Sequence, residues 1–207
     1  MSVSKAVRLG ILISGRGSNF LAIAESIRTG KLKGVEIGVV ISNAPDAAGL
    51  QKARALGIPA AVFDSKGRKR IEHDADVAAC LKKHKVDLIC LAGYMRLLSP
   101  QFVAAFPNRI LNIHPSLLPA FPGLEAQEQA FAYGVKVAGC TVHLVDEELD
   151  HGAIVLQRAI PVLEEDDPHS LALRILAEEH KAYPEAIALV VSGAYEIRGR
   201  RFVKRGS

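Results

Sequence analysis

The 207 residues predict an α/β fold: a doubly wound, mostly parallel sheet extended by antiparallel strands and a long C-terminal helix. Three observations carry that reading. Apolar runs such as Val7–Ile13 show no alternation, as in strands covered on both faces. Helical segments alternate with these runs over roughly the first half of the chain. The second half changes character, with two long strand-like runs joined by a polar turn and then a helical stretch of more than twenty residues.

Taken in order, Val7–Ile13 is a strand and Ser18–Arg28 a helix. Val35–Ile41 is the second strand, and Asp46–Leu56 a helix stopped by Gly57. Ala60–Phe63 is a short strand. Arg70–His84 follows as a helix, with Ile71, Ala75, Ala78, Ala79 and Leu81 expected on its inner face. Val86–Ala92 is a buried strand. Ser99–Phe106 is a short helix, with Ser99 as N-cap and Pro100 at its first position. Ile110–His114 is the fifth strand. Val137–Val145 and Ala153–Val162 are read as an antiparallel pair. Pro168–Val191 is a helix capped by Asp167, and Pro184 should bend or interrupt it. Tyr195–Val203 closes the chain as a hairpin around Gly199.

The bulk composition, 49% apolar and 23% charged, is that of an ordinary globular protein. Of the 26 lysines and arginines, five lie in the acid-free stretch from Arg198 to Arg205; the remaining 21 oppose 22 acids. The body is thus near neutral, and the tail reads as a solvated end rather than a nucleic-acid arm. Cys80, Cys90 and Cys140 are odd in number and form no CxxC pair, so buried reduced thiols are expected, with no disulfide framework and no metal site. The run Val7–Ile13 is too short for a signal peptide, and no apolar run approaches the ~20 residues of a membrane helix. A cytoplasmic location is expected.

Two motifs carry candidate chemistry. Ser14-Gly-Arg-Gly-Ser-Asn19 joins a strand to a helix, where glycines admit close approach of an anion to free N–H groups at a positive dipole end. It has neither the Walker A lysine nor the third glycine of a dinucleotide loop, whose place Phe20 takes. A phosphate monoester fits it; a ligand-free tight turn stays open on the loop alone. Further on, Asn112 and His114 are two apart on a strand and so share one face at its carboxyl end, where ligand crevices of α/β sheets open. Pro115 biases His114 to an extended backbone. An amide beside an imidazole suits a reaction that builds and collapses an oxyanion, acyl transfer above all. The turn Asp146-Glu-Glu-Leu-Asp150 is either a solvated hairpin end or a source of a carboxylate for His114.

From about Val7 to Val191 the chain resembles the folate-dependent glycinamide ribonucleotide formyltransferases. The resemblance rests on Ile13-Ser-Gly-Arg-Gly-Ser-Asn19, Leu91-Ala-Gly-Tyr-Met-Arg-Leu-Leu-Ser99, Leu111-Asn-Ile-His-Pro-Ser-Leu-Leu-Pro119, Val145-Asp-Glu-Glu-Leu-Asp-His-Gly152 and Glu179-His-Lys-Ala-Tyr-Pro184. It implies a formyltransferase-like fold with a Rossmann-type N-terminal half. It implies one formyltransferase domain, with 1–106 a phosphate-binding half, 107–194 a catalytic and folate-binding half, and 195–207 a basic tail. It implies transfer of a formyl group from 10-formyltetrahydrofolate to the amine of glycinamide ribonucleotide, a step of de novo purine (IMP) biosynthesis. Asn112, His114 and Asp150 would be catalytic. Gly17, Ser18, Asn19 and Glu179 would bind the ribonucleotide. Lys66, Met95, Arg96, Leu97, Leu98, Asn112, Val145, Asp146 and Asp150 would bind folate, a co-substrate, with no metal required. Small molecules are the expected partners, with no nucleic acid and no membrane, in a monomer or weak homodimer. Leu124-Glu-Ala-Gln-Glu-Gln-Ala130 departs from many bacterial relatives, which carry histidines there, and no contact is assigned to it.

Three other functions compete. A methionyl-tRNA formyltransferase shares the Asn-x-His segment but adds an RNA-binding domain. A formyltetrahydrofolate hydrolase uses the same residues on water and normally carries a regulatory domain. A non-catalytic phosphate sensor would have no use for the Asn112, His114 and Asp150 set.

Overall fold

The computed structural model describes residues 6–206, and the chain divides into two compact units at Leu111/Asn112, inside a strand. In the first unit β1 (Val7–Ile13) pairs in parallel with β2 (Val35–Ser42) on one side and β4 (Leu88–Leu91) on the other, and β2 pairs in parallel with β3 (Ala60–Val62). β5 (Ile110–His114) begins beside β4, where Ile89 donates its N–H to the Arg109 carbonyl at 2.8 Å. Leu9, Ile11, Leu12 and Ile13 are all fully buried, which explains the unbroken apolar run: helices cover both faces of such a strand. Gly10 sits where a Cβ would lie 2.4 Å from the Leu81 side chain, so its absence lets a helix approach the sheet.

The helices of this unit are α1 (Ser18–Arg28), α2 (Ala48–Ala55), α3 (Arg70–Lys83) and α4 (Pro100–Ala105). α2 is shorter than its sequence suggests, starting at Ala48 rather than at Asp46. The inner face of α3 corrects the sequence reading. It buries His73, Asp74, Val77 and Leu81, while Ile71 is exposed, as are Ala75 and Ala79. The two polar residues go inside because each has a partner: Asp74 Oδ2 accepts the Ser99 N–H at 2.6 Å, and His73 Nε2 meets the Phe63 carbonyl at 2.8 Å. Ser99 caps α4 as expected, its Oγ accepting from the Phe102 N–H.

The second unit holds the end of β5, α5 (Ala126–Tyr133), β6 (Val137–Leu144), β7 (Ile154–Pro161), α6 (Pro168–Val191), β8 (Tyr195–Arg198) and β9 (Arg201–Lys204), with strand order β5-β6-β7-β9-β8. β6 and β7 are antiparallel, and Gly139 is required in β6 because a Cβ there would meet the Arg158 carbonyl oxygen at 2.0 Å. α5 is absent from the sequence reading; it buries only Ala126 and Ala130, too little pattern to announce a helix. α6 starts in a capping box: Asp167 Oδ1 accepts the Ser170 N–H at 2.6 Å, and Ser170 Oγ accepts the Asp167 N–H at 2.9 Å. It runs on through Pro184 without interruption, burying Leu171, Ile175, Glu179, Ala182, Tyr183 and Ile187 at helical spacing. The basic tail is folded rather than a free end. β8 and β9 form a hairpin around Gly199, and β9 adds to the sheet in parallel with β7 through Ile154 and Arg201. The α/β class, the added antiparallel strands and the long terminal helix are all as expected. No helix among the described residues is long and apolar enough to cross a membrane.

Candidate active site

β5 delivers Asn112 and His114 to one face, and the β6–β7 turn delivers Asp150 to the same place. His114 is buried, with Nε2 2.9 Å from the Phe121 carbonyl. A carbonyl only accepts, so Nε2 carries a hydrogen. Nδ1 then faces Asp150 Oδ2 at 3.4 Å, a contact that is attractive when Nδ1 is protonated as well. Oδ2 also accepts the Gly123 N–H at 2.8 Å. Burial pushes the Asp150 carboxyl up, but the Gly123 amide and the charge of His114 outweigh it and hold it below the usual carboxylate range.

His143, which the sequence reading missed, links the other two members. Its Nδ1 lies 2.9 Å from the Leu144 carbonyl and therefore carries the hydrogen. The lone pair on Nε2 then accepts from Asn112 Nδ2 at 3.2 Å, and Asp150 Oδ1 lies 3.7 Å from the same nitrogen. Asn112, His114 and Asp150 thus form one cluster joined through His143. The missed signal was present in β6, where Thr141 and His143 are polar at i and i+2 in an otherwise apolar run. Thr141 is used too. Its hydroxyl donates to the Ser116 carbonyl at 2.7 Å and accepts from the Leu118 N–H at 3.0 Å, which fastens the proline-rich segment after His114 to β6.

Asp150 has a left-handed backbone, φ 50°. The turn around it is closely tied. Asp146 accepts from the Glu148 N–H at 3.1 Å through Oδ1 and from His151 Nδ1 at 2.8 Å through Oδ2. Both oxygens of Asp146 are therefore engaged inside the turn. Gly152 has no room for a side chain, since a Cβ would lie 1.8 Å from the Leu144 carbonyl oxygen.

In the first unit the glycine loop is braced by its own neighbours. Gly17 has φ 70° and is the N-cap of α1, and no side chain caps that helix end. Gly49 donates its N–H to the Gly15 carbonyl at 3.0 Å, and a Cβ on Gly49 would meet Ile13 Cδ1 at 2.4 Å. Lys52, unassigned from sequence, places its ammonium 3.0 Å from the Arg16 carbonyl. Asn19 is buried and Ser18 half-buried. Ser14 Oγ bonds Asn43 Oδ1 at 2.5 Å and accepts the Met95 N–H at 2.7 Å, so the glycine loop and the 93–99 connection are held together. Met95 and Leu97 are exposed, unusual for residues of their size in a short connection. Arg96 turns back instead, its guanidinium donating to the Arg68 carbonyl at 3.2 Å and approaching the Ser65 carbonyl at 3.5 Å. That brings the loop of Lys66, itself exposed, next to the 95–98 segment.

Glu179 is buried on α6. It lies near Cys140: burial first, then Glu179 and Glu178, push that thiol up to about 12. Cys140 is therefore no nucleophile at neutral pH, and burial likewise raises Cys80. All three cysteines are free. Among the described residues no group of three or more His, Cys, Asp or Glu side chains has a metal-holding arrangement.

The protein is of the mostly parallel α/β class, with an amide and an imidazole at the end of β5 and a carboxylate from the following antiparallel turn brought to them. Within that class the chain belongs to the formyl transferase family, whose model matches residues 7–187. It is 48% identical over 90% of its length to the trifunctional purine biosynthetic protein adenosine-3 of Drosophila melanogaster, but spans only 14% of that protein. It is 41% identical to the phosphoribosylglycinamide formyltransferase of Escherichia coli (strain K12), covering 88% of this chain and 86% of that one. The solved glycinamide ribonucleotide transformylase 1 from Symbiobacterium toebii superposes with a TM-score of 0.94 at 53% identity, covering 97% of this chain and 95% of that one.

Proposed function

We propose that the chain is a folate-dependent phosphoribosylglycinamide formyltransferase of purine (IMP) biosynthesis. The observation that carries this is the meeting of Asn112, His114 and Asp150 in one buried cluster, in a chain similar over nearly its whole length to proteins of that name. In the proposed reaction the substrate amine attacks the formyl carbon of 10-formyltetrahydrofolate, and the carbonyl electron pair moves to oxygen. Asn112 Nδ2 has two hydrogens and gives one to His143, which leaves the other for the oxyanion. The Nε2 hydrogen of His114, held here by the Phe121 carbonyl, transfers its bond to the oxyanion as that loop carbonyl gives way. Asp150 keeps its charge beside Nδ1 and stabilises the imidazolium, while a water relays the ammonium proton away. Collapse then breaks the bond between the formyl carbon and N10, which takes up a proton and leaves as tetrahydrofolate.

Gly17, Ser18 and Asn19 hold the phosphate at the uncapped N-terminus of α1, and Glu179 contacts the ribose or amine end. Lys66, Met95, Arg96, Leu97, Leu98, Val145 and Asp146 line the folate, with Met95 and Leu97 as its apolar contacts. Folate is a co-substrate, no metal takes part, and the enzyme acts in the cytoplasm on small molecules as a monomer or weak homodimer.

The test is tetrahydrofolate release from 10-formyltetrahydrofolate with and without glycinamide ribonucleotide. Release that depends on the ribonucleotide is expected. Equal release without it would replace this reading with hydrolysis, and binding without release would leave only a sensor.

A further inference from the structure

Asp150 holds a backbone conformation that residues with a Cβ rarely adopt, so something nearby must over-determine it. Gly123 binds its carboxylate. The peptide after His151 is held from another element. Arg200, in the turn between β8 and β9, donates through Nη2 to the His151 carbonyl at 2.5 Å and through Nη1 to His151 Nε2. Arginine has no acceptor atom, so Nε2 must present its lone pair and Nδ1 must carry the hydrogen given to Asp146 Oδ2. One tautomer satisfies the whole chain Arg200, His151, Asp146. The other charged group facing the ring is Glu148, whose Oε2 lies 3.9 Å from Nε2. The hairpin is itself anchored: β9 pairs with β7 at Ile154, two residues beyond Gly152.

We propose that Arg200 is a positioning residue that clasps the acidic turn, holding the His151–Gly152 peptide, and with it the folate-facing backbone of Val145 to Asp150, in its working geometry. This rests on the assignment of that turn to the formyl donor. The basic hairpin then has a task in the reaction through the turn it holds. A lysine cannot replace the arginine fully, because one ammonium cannot serve a ring nitrogen and a carbonyl in the fork geometry of a guanidinium.

The experiment compares Arg200→Ala, Arg200→Lys and Arg198→Ala, the last altering a hairpin arginine that pairs with Glu196 on its own strand. For Arg200→Ala, kcat/KM for 10-formyltetrahydrofolate should fall about three- to tenfold, the effect of losing one or two exposed hydrogen bonds. KM for glycinamide ribonucleotide should stay unchanged. Arg200→Lys should recover part of the loss, and Arg198→Ala should match the unmodified protein. Unchanged constants in Arg200→Ala overturn the proposal. So does a loss shared equally with Arg198→Ala and matched by a drop in Tm, which would mean only that the hairpin had loosened. If the unmodified protein shows no ribonucleotide-dependent turnover, the formyl-transfer reading fails separately. The clasp is then read from amide hydrogen exchange at His151 and Gly152, which must quicken in Arg200→Ala; unchanged exchange overturns it.

Discussion

His114 Nδ1 lies 3.4 Å from Asp150 Oδ2 with both side chains more than nine-tenths buried, so the carboxylate and the imidazole are one electrostatic unit. The pKa of Asp150 is lowered, and the sign of its effect on stability follows. The unfolded chain takes up the proton near the ordinary value of ~3.9, while the folded chain resists until a lower pH. The contribution of Asp150 is therefore fully present above ~3.9 and lost as pH falls through the folded value. In urea titrations, the stability of the native protein minus that of Asp150→Asn should shrink from pH about 6 to pH about 3. A difference that holds constant or grows over that range would contradict the lowered pKa.

Removing the proposed oxyanion donors should affect rate far more than substrate binding. Loss of one such donor costs about 2.7–4 kcal/mol, or roughly 10²–10³ in kcat. Asn112→Ala and His114→Ala should each fall in that range. The glycine loop is braced by Ser14, Asn43, Gly49 and Met95, none of which changes, so affinity for glycinamide ribonucleotide by calorimetry should stay within about twofold. Loss of binding in step with loss of rate would assign the pair to substrate affinity instead.

His143 should behave as a support rather than a donor. Asn112 Nδ2 needs its Nε2 as acceptor, and the Leu144 carbonyl fixes which ring nitrogen that is. His143→Ala frees the amide to rotate, and one lost hydrogen bond of about 1.4 kcal/mol corresponds to about tenfold in kcat. His143→Gln keeps an acceptor within reach of Asn112 and should lose less. Native kcat in His143→Ala would show that Asn112 orients itself without help.

What the amino-acid order discloses, and what it hides, follows from where each partner lies. β1 is legible because burial on both faces demands consecutive apolar residues, and α6 because its cap, Asp167 with Ser170, is local. Asn112 and His114 are legible as a pair because a strand sets their shared face. The inner face of α3 is not legible: Asp74 is buried only because the Ser99 N–H, 25 residues on, awaits it. Hydropathy ranks the alanines of α3 above Asp74 and so points to the wrong side. His143 is hidden for the same reason, since its meaning comes from Asn112, 31 residues earlier. Arg200 is the extreme case. A count of charges makes it one of five tail cations, and only the folded hairpin brings it to His151, 49 residues away.

Gly152 should prove the least replaceable residue of the acidic turn. A Cβ there would lie 1.8 Å from the Leu144 carbonyl oxygen, 2.8 Å from its carbon and 3.3 Å from the Asp146 nitrogen, all backbone atoms. They cannot step aside cheaply, because the Leu144 N–H is bonded to the Ala153 carbonyl at 2.9 Å across the end of β6 and β7. Forcing a methyl group into so closed a place costs at least about 3 kcal/mol, or about 6–12 °C in Tm for a chain of this size. Gly57→Ala is the comparison: its φ of 69° strains an alanine, but nothing lies within 4 Å, so backbone strain of about 1–2 kcal/mol is the whole effect. Gly152→Ala should also lose turnover well below its melting temperature, because Asp150 stands two residues away on the backbone that must shift. Calorimetric melting of the two variants separates crowding from strain. If Gly152→Ala melted no lower than Gly57→Ala, the turn would be roomy enough to accept a side chain, and the tight hold on Asp150 would have to come from Gly123 and the Arg200 clasp.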